Sequence, residues 1–582
     1  MNVNSDRSTL RRVGELLLLR ERLQLSLLLF CTLVSAALDL MSVSLLVPIL
    51  LVLVGDVANS DTTWLQSFFG IVQDEMSVAI ALSAVFLLKN TVSILIVFIQ
   101  GKIVNAINIR IVQRYYSNIL LKPFEYHVAK SSPELMRDIQ DRAYSVVNGA
   151  VNPFLSIFSD VLIGATLVAF LALKYPFVTF AVTILLGITG VLLGAFTKSK
   201  LRWLGTERDA RRGEQLHVLA ESFSGIKDII VRGNQSWFLK LHQSAMTKLA
   251  YVNVRFQVIQ ALPRSVFECA IAFTLVGLIF FILRADQSTG LKLGMIASFA
   301  FVAFRVLPSV QRISSAFQAV NFNIPLISLA LNELEKFGEP PTHGTQDREA
   351  SLEQPFSDLE FRIDEFRYPG SPKLVLGNVR FSFRKGELIA IVGESGSGKS
   401  TIVSLLVGLF KPSEGRILAN GKSIFEDLDD WRKRIGFVPQ DIFLLDGTIL
   451  ENVVFGEHSE AYDERLVLRA LDRASIGDFV RTLPNGIHER IGEDGVRISG
   501  GQRQRLGFAR ALFRDPEILI LDEATSALDQ ATEGEIFKLI MDLRRDLAIV
   551  MVTHRTSVFS LCDRVFNLRN GQLSCIETRG RA

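Results

Sequence analysis

Six apolar stretches, each near or above the roughly 20 helical residues that a hydrocarbon core requires, occupy the first 325 residues or so of the chain. They lie near 23–54, 77–100, 146–173, 177–196, 263–284 and 292–316. Lipid offers no partner to an open backbone N–H or C=O, so such stretches can cross it only as helices. Composition agrees: 49% of residues are hydrophobic and mean hydropathy is +0.31, a surplus that a water-soluble surface cannot hold. With 41 Phe and a net charge of +3, the chain is neither disordered nor built for nucleic acid. Cys31, Cys269, Cys562 and Cys575 are too scattered for a disulfide framework or a zinc site. The first stretch, opening with Leu23–Phe30, is too long for a signal peptide and lacks a small-residue cleavage site.

Between the spans, residues 101–145 and 197–262 are strongly charged and helix-forming, which predicts long helices projecting from the membrane. Twelve Lys and Arg lie from Lys198 to Arg264, and Arg7, Arg11, Arg12, Arg20 and Arg22 precede the first span. Residues 55–76 carry no Lys or Arg. Basic residues stay on the cytoplasmic side, so six crossings with both termini cytoplasmic are expected. In the outer stretch, Trp64, Leu65, Phe68, Phe69, Ile71 and Val72 fit either a short amphipathic helix over 63–72 or an ordinary interfacial aromatic set. The expected organisation is a cytoplasmic segment over 1–22, a membrane domain over 23–325, a linker over 326–356 and a soluble α/β domain over 357–582.

That last domain carries phosphate chemistry. Gly393-Glu394-Ser395-Gly396-Ser397-Gly398-Lys399-Ser400 fits G-x-x-x-x-G-K-S, follows the apolar strand Leu388–Val392 and precedes a helix through Thr401. Glycines let backbone N–H groups converge on phosphates, Lys399 adds a point charge, and Ser400 offers a hydroxyl to Mg²⁺. A second apolar strand, Ile518–Leu521, runs into Asp522-Glu523, one carboxylate suited to the metal and the other to polarising water. Ser499-Gly500-Gly501-Gln502 opens a further helix and makes a second anion nest.

These motifs, with Gln440, Ser526-Ala527-Leu528-Asp529 and His554 in the same order, resemble the ATP-binding cassette of ABC transporters. The resemblance implies a polytopic α-helical membrane domain of six transmembrane helices, exporter type, plus an α/β P-loop cassette. It implies that two cassettes face head to tail, each ATP lying between one phosphate loop and the partner's Ser499–Gln502. On that basis Tyr368 stacks on adenine, Gln440 touches Mg²⁺ beside Ser400 and Asp522, and Glu523 is the general base. His554 senses the γ-phosphate, and Asp529 completes the nucleotide contacts. The cofactors are ATP and Mg²⁺, and the working unit is a homodimer in the lipid bilayer. Ile498 stands where the family usually has Leu, apolar for apolar. Gly492-Glu493-Asp494-Gly495 resembles the short exporter element that touches intracellular helices. Pro123–Pro133 and Gly225–Gly233, which interrupt helical runs, are the expected contact segments.

Ionisable residues within spans normally face a cavity or a partner. Arg305, Arg312, Lys89 and Arg264 are the candidate cavity cations. Lys89 is better suited to pairing with Asp39 on the neighbouring span than to an open cavity, and Arg264 lies beside Glu268. Guanidinium groups suit phosphate oxygens. Together with Arg305–Ile313, Gly225–Asp228 and Pro123–His127, they resemble the bacterial lipid-linked oligosaccharide flippases. That implies an inner-membrane protein moving an anionic polyprenyl-pyrophosphate glycolipid. The alternatives are an exporter of peptides, other lipids or drugs, and a membrane ATPase that transports nothing. The short stretch before the first span leaves no peptidase domain of the kind peptide exporters often carry.

Overall fold

The computed structural model describes residues 3–53, 75–174, 176–284, 289–335, 354–456, 463–492, 498–524, 530–555 and 558–576. The segment 63–72, the acidic end of Gly492–Gly495 and Ser526–Asp529 lie outside them. The chain divides into two compact units. One is Met1–Lys122 with Lys130–Thr342, and the other is Pro123–Ala129 with His343–Ala582.

The first unit is helical. Among the described residues six helices are long and apolar enough to cross a membrane. Glu75–Leu120, Pro176–Ser224, Gln235–Arg284 and Thr289–Glu335 have 46, 49, 50 and 47 residues. At about 1.5 Å per residue each is some 70 Å long, more than twice the hydrocarbon thickness, so the charged halves project as expected. The helices pack closely where side chains are small: a Cβ at Gly205 would meet the carbonyl oxygen of Phe322 at 2.0 Å, and one at Gly149 would meet Asn323 Cβ at 2.6 Å.

Two features depart from expectation. Thr289–Glu335 runs ten residues into the stretch assigned to the linker, because Leu326, Ile327, Ala330, Leu331 and Leu334 repeat at helical spacing and are buried. Arg12, on the separate helix Val3–Leu16, grips the end of that helix with bonds of 2.6 and 2.5 Å to Glu335. The run from Asp138 to Val151 also contains two π-helical turns, Asp138–Ala143 and Val147–Val151. Asp138 is fully buried there, held by Lys130 at 2.9 Å and Arg142 at 2.6 Å.

In the second unit the described strands are β1 Asp358–Phe366, β2 Leu376–Arg384, β3 Leu388–Val392, β4 Glu414–Ala419, β5 Lys422–Ser423, β6 Ile435–Val438, β7 Ile518–Asp522, β8 Ala548–Val552, β9 Arg564–Arg569 and β10 Gln572–Ile576. An antiparallel sheet has the order β2-β1-β4-β5, and the larger sheet has the order β10-β9-β3-β8-β7-β6. Neighbours from β9 to β6 are parallel. Strands β3, β7 and β8 are wholly buried, which is why they read as unbroken apolar runs rather than alternating ones. One apolar core lies on each side of this sheet.

Candidate functional site

Parallel strands end on the same side, and in open α/β sheets the crevice beyond their carboxyl ends holds ligands. The register aligns Ile391 with Val552 and Asp522 with Val552. Gly393 therefore follows β3, Glu523 follows β7, His554 lies two residues beyond β8, and Gln440 lies two beyond β6, all at one edge.

The phosphate loop is shaped by its glycines. A Cβ at Gly393 would lie 2.3 Å from the carbonyl oxygen of Leu568, so only glycine fits against β9 there. Gly396 and Gly398 take φ of +79° and +107°, which disfavours a side chain. Lys399 opens the helix Lys399–Leu406 and donates to the carbonyl oxygens of Gly393 and Glu394, both at 3.0 Å. Its chain thus folds back over the loop and holds its ammonium at the loop's mouth. Ser397 Oγ is buried with no partner among the described residues, a group suited to a phosphate oxygen.

The acidic pair divides as its chemistry requires. Asp522 is 9% exposed and its Oδ1 is buried without a hydrogen bond among the described residues. Burial pushes its pKa up to about 6, the charge of Glu523 adding to the shift and Lys399 opposing it. An acid this uncomfortable without a cation fits a divalent metal, with Ser400 and Gln440 supplying neutral oxygens. Glu523 has φ of +48°, an uncommon conformation for a side-chain-bearing residue. Its carboxylate accepts from Gln440 Nε2 at 3.1 Å, lies 3.7 Å from His554 Nδ1 and 4.0 Å from Lys399 Nζ. Ser499 caps the helix Gly500–Leu512: Gln502 N donates to Ser499 Oγ at 3.2 Å and Ser499 N to Gln502 Oε1 at 2.8 Å. The Gln502 side-chain oxygen is thereby occupied in shaping the nest. Tyr368 shares a 2.8 Å hydrogen bond with Thr401.

Two descriptions match the sequence: "ABC transporter" over residues 376–526 and "ABC transporter transmembrane region" over 25–306. The chain is an ABC half-transporter. Similar curated proteins are the ATP-dependent lipid A-core flippases of Ralstonia nicotianae, 27% identical over 81% of this chain and 78% of that one, and of Saccharophagus degradans, 29% identical over 79% and 77%. A bacterial Atm1-family ABC exporter solved with ATP bound shares the fold, with TM-score 0.77, 21% identity and coverage of 95% of this chain and 94% of that one. The ABC half-transporter is accordingly an ATP-hydrolysing exporter or flippase, a multi-pass inner-membrane protein of a class that acts as dimers in the bilayer.

In the transporter's membrane unit the four candidate cations fare differently. Lys89 is buried against Asp39 at 2.5 Å, so it is half of an ion pair and not an open cavity cation. Arg264 pairs with Glu268 one turn on, at 2.8 Å, with its side chain 70% exposed. The side chain of Arg305 lies outside what is described. Arg312 is held by a buried partner and still open: Nε and one terminal amine grip Asp160 at 2.6–3.0 Å, Asp160 is buried, and the Arg312 side chain is 56% exposed. Asp160 was missed in the sequence reading, although a lone ionisable residue within the span 146–173 was its signal.

Proposed function

We propose that two copies of this chain form a homodimeric, ATP-driven flippase that moves an anionic glycolipid from the inner to the outer leaflet. The nucleotide part rests on the cluster at the sheet edge. ATP phosphates would lie in the Gly393–Ser400 loop, with Lys399 and Ser397 donating to them and Tyr368 carrying the base. Asp522, Ser400 and Gln440 would hold Mg²⁺, which when bound neutralises phosphate charge. Glu523, oriented by Gln440, takes a proton from the attacking water, and His554 contacts the γ-phosphate side. Ser499–Gln502 of each copy would close over the other's phosphate loop, with Asp529 at the same interface. Closure would move the short helices Phe124–Ala129 and Ile226–Arg232. The excess of Lys and Arg beside the inner ends of the spans supports cytoplasmic termini.

The substrate reading is carried by Arg312. Asp160 engages one edge of its guanidinium and sets its orientation, while the other edge stays accessible for phosphate oxygens. A lipid-linked polyprenyl-pyrophosphate oligosaccharide offers this chemistry, and so does the lipid A-core named for the relatives. The test is ATPase stimulation of the reconstituted protein by each glycolipid, against a neutral glycolipid, a peptide and a hydrophobic cation. Stimulation by the phosphorylated glycolipids supports the reading; stimulation by the cation or peptide alone rejects it.

A further inference from the structure

Seven residues, Pro123–Ala129, are separated from their flanks: they group with the cassette, while Lys122 and Lys130 group with the membrane helices. Both flanks are tied there, Lys122 to Glu333 and Lys130 to Asp138 at 2.9 Å. The short helix Phe124–Ala129 lies between these two tied flanks.

Its first residue enters an aromatic cluster. The ring of Phe124 lies 5.5 Å from that of Phe410, edge to face at 75°. Phe410 is 4% exposed and meets Tyr368 at 5.2 Å and 82°. Phe366 closes the group from beneath, 5.2 Å from Tyr368 and 6.0 Å from Phe410. Edge-to-face contacts depend on ring orientation, so turning one ring disturbs the next. The cluster is also bound to the phosphate loop. Phe410 follows the helix Lys399–Leu406, whose exit is fixed by Gly408 at φ +71° and by Leu409 N donating to Ser404 O at 2.8 Å. At the other end of that helix Thr401, next to Ser400, holds the Tyr368 hydroxyl. Tyr368 thus bridges both ends of the helix that begins at the phosphates.

We propose that Phe410 is a positioning residue that couples Phe124 to the Tyr368 ring, so that the pose of the purine platform follows the helix Phe124–Ala129. Coupling between sites is reciprocal, so a purine stacked on Tyr368 in turn favours one seat for Phe124. This rests on the reading of Tyr368 as the base platform. None of the phosphate or metal groups takes part.

The test uses the full-length protein in lipid nanodiscs and the equilibrium binding of mant-ATP, read by fluorescence without turnover. Phe124→Ala, which removes no group from the nucleotide pocket, is expected to weaken mant-ATP binding by about three- to tenfold, the size of a lost aromatic pair. Phe410→Leu, which keeps apolar volume but no ring, should do the same. Phe410→Tyr should bind as the parent does, and the double variant Phe124→Ala/Phe410→Leu should be no weaker than Phe410→Leu alone. Parent-like affinity in Phe124→Ala, or losses that simply add in the double variant, overturns the proposal. Tyr368→Ala separates the two levels. If it leaves affinity unchanged, the platform reading falls and takes the coupling with it. If it weakens binding while Phe124→Ala does not, only the coupling falls.

Discussion

Gln440 donates its side-chain N–H to the carboxylate of Glu523 at 3.1 Å, joining the loop after β6 to the end of β7. The bond orients a carboxylate whose own backbone is in the left-handed region, a conformation that persists only where the surroundings impose it. General-base assistance is worth about 10²–10⁴ in rate. Glu523→Gln should therefore lower phosphate release at least about a hundredfold while keeping nucleotide affinity. Phosphate release and filter binding of labelled ATP on the same preparation check it.

Asp522 is separable from Glu523. A buried carboxylate with an unpartnered oxygen is relieved by a divalent cation, so Asp522→Asn should abolish Mg²⁺-dependent hydrolysis yet raise the melting temperature of the protein free of nucleotide and metal. The sign follows from its raised pKa: the ionised form is less favourable in the fold than in the unfolded chain. Its charge costs stability progressively as pH rises from about 4 through 6, and the neutral amide removes that cost. Differential scanning fluorimetry at pH 7.5 with and without Mg²⁺ measures both effects.

Gly393 is a purely steric case. With a Cβ only 2.3 Å from a β9 carbonyl, Gly393→Ala must displace the loop or the strand. Nucleotide binding should fall more than tenfold, whereas Gly396→Ala, whose added carbon meets nothing within 4 Å, is opposed only by its φ. Titration with mant-ATP distinguishes the two.

Arg312 and Asp160 test the membrane half. Asp160 is buried while Arg312 is half-exposed, so Arg312→Ala strands the Asp160 charge and should lower thermal stability. Arg312→Ala with Asp160→Ala should recover most of it and still lose glycolipid-stimulated ATPase. Recovery of both stability and stimulation would assign Arg312 to packing alone.

The cassette was legible because its chemistry is contiguous: Gly393–Ser400, Ser499–Gln502 and Asp522-Glu523 each carry their own context of strand or helix. The six spans were legible for a similar reason, since an apolar run reports its own burial in lipid. The most distant pairings were not. Asp160 lies 152 residues from Arg312, and no local pattern joins them. Phe410 follows a helix end where no periodicity operates, and its link to Phe124 spans almost half the chain. Among the cavity candidates, Lys89 pairs with Asp39, as the two charges on neighbouring spans suggested.

The central claim is that each ATP is enclosed by two chains, and subunit mixing tests it most directly. Lys399→Ala disables one chain's phosphate loop and Ser499→Arg disables the other's closing nest. Each variant alone should be inactive. Differently tagged copies, co-expressed and purified through both tags, would contain one intact loop facing one intact nest. The account predicts that this mixed dimer recovers ATP hydrolysis above either parent; activity no higher than the parents would contradict it.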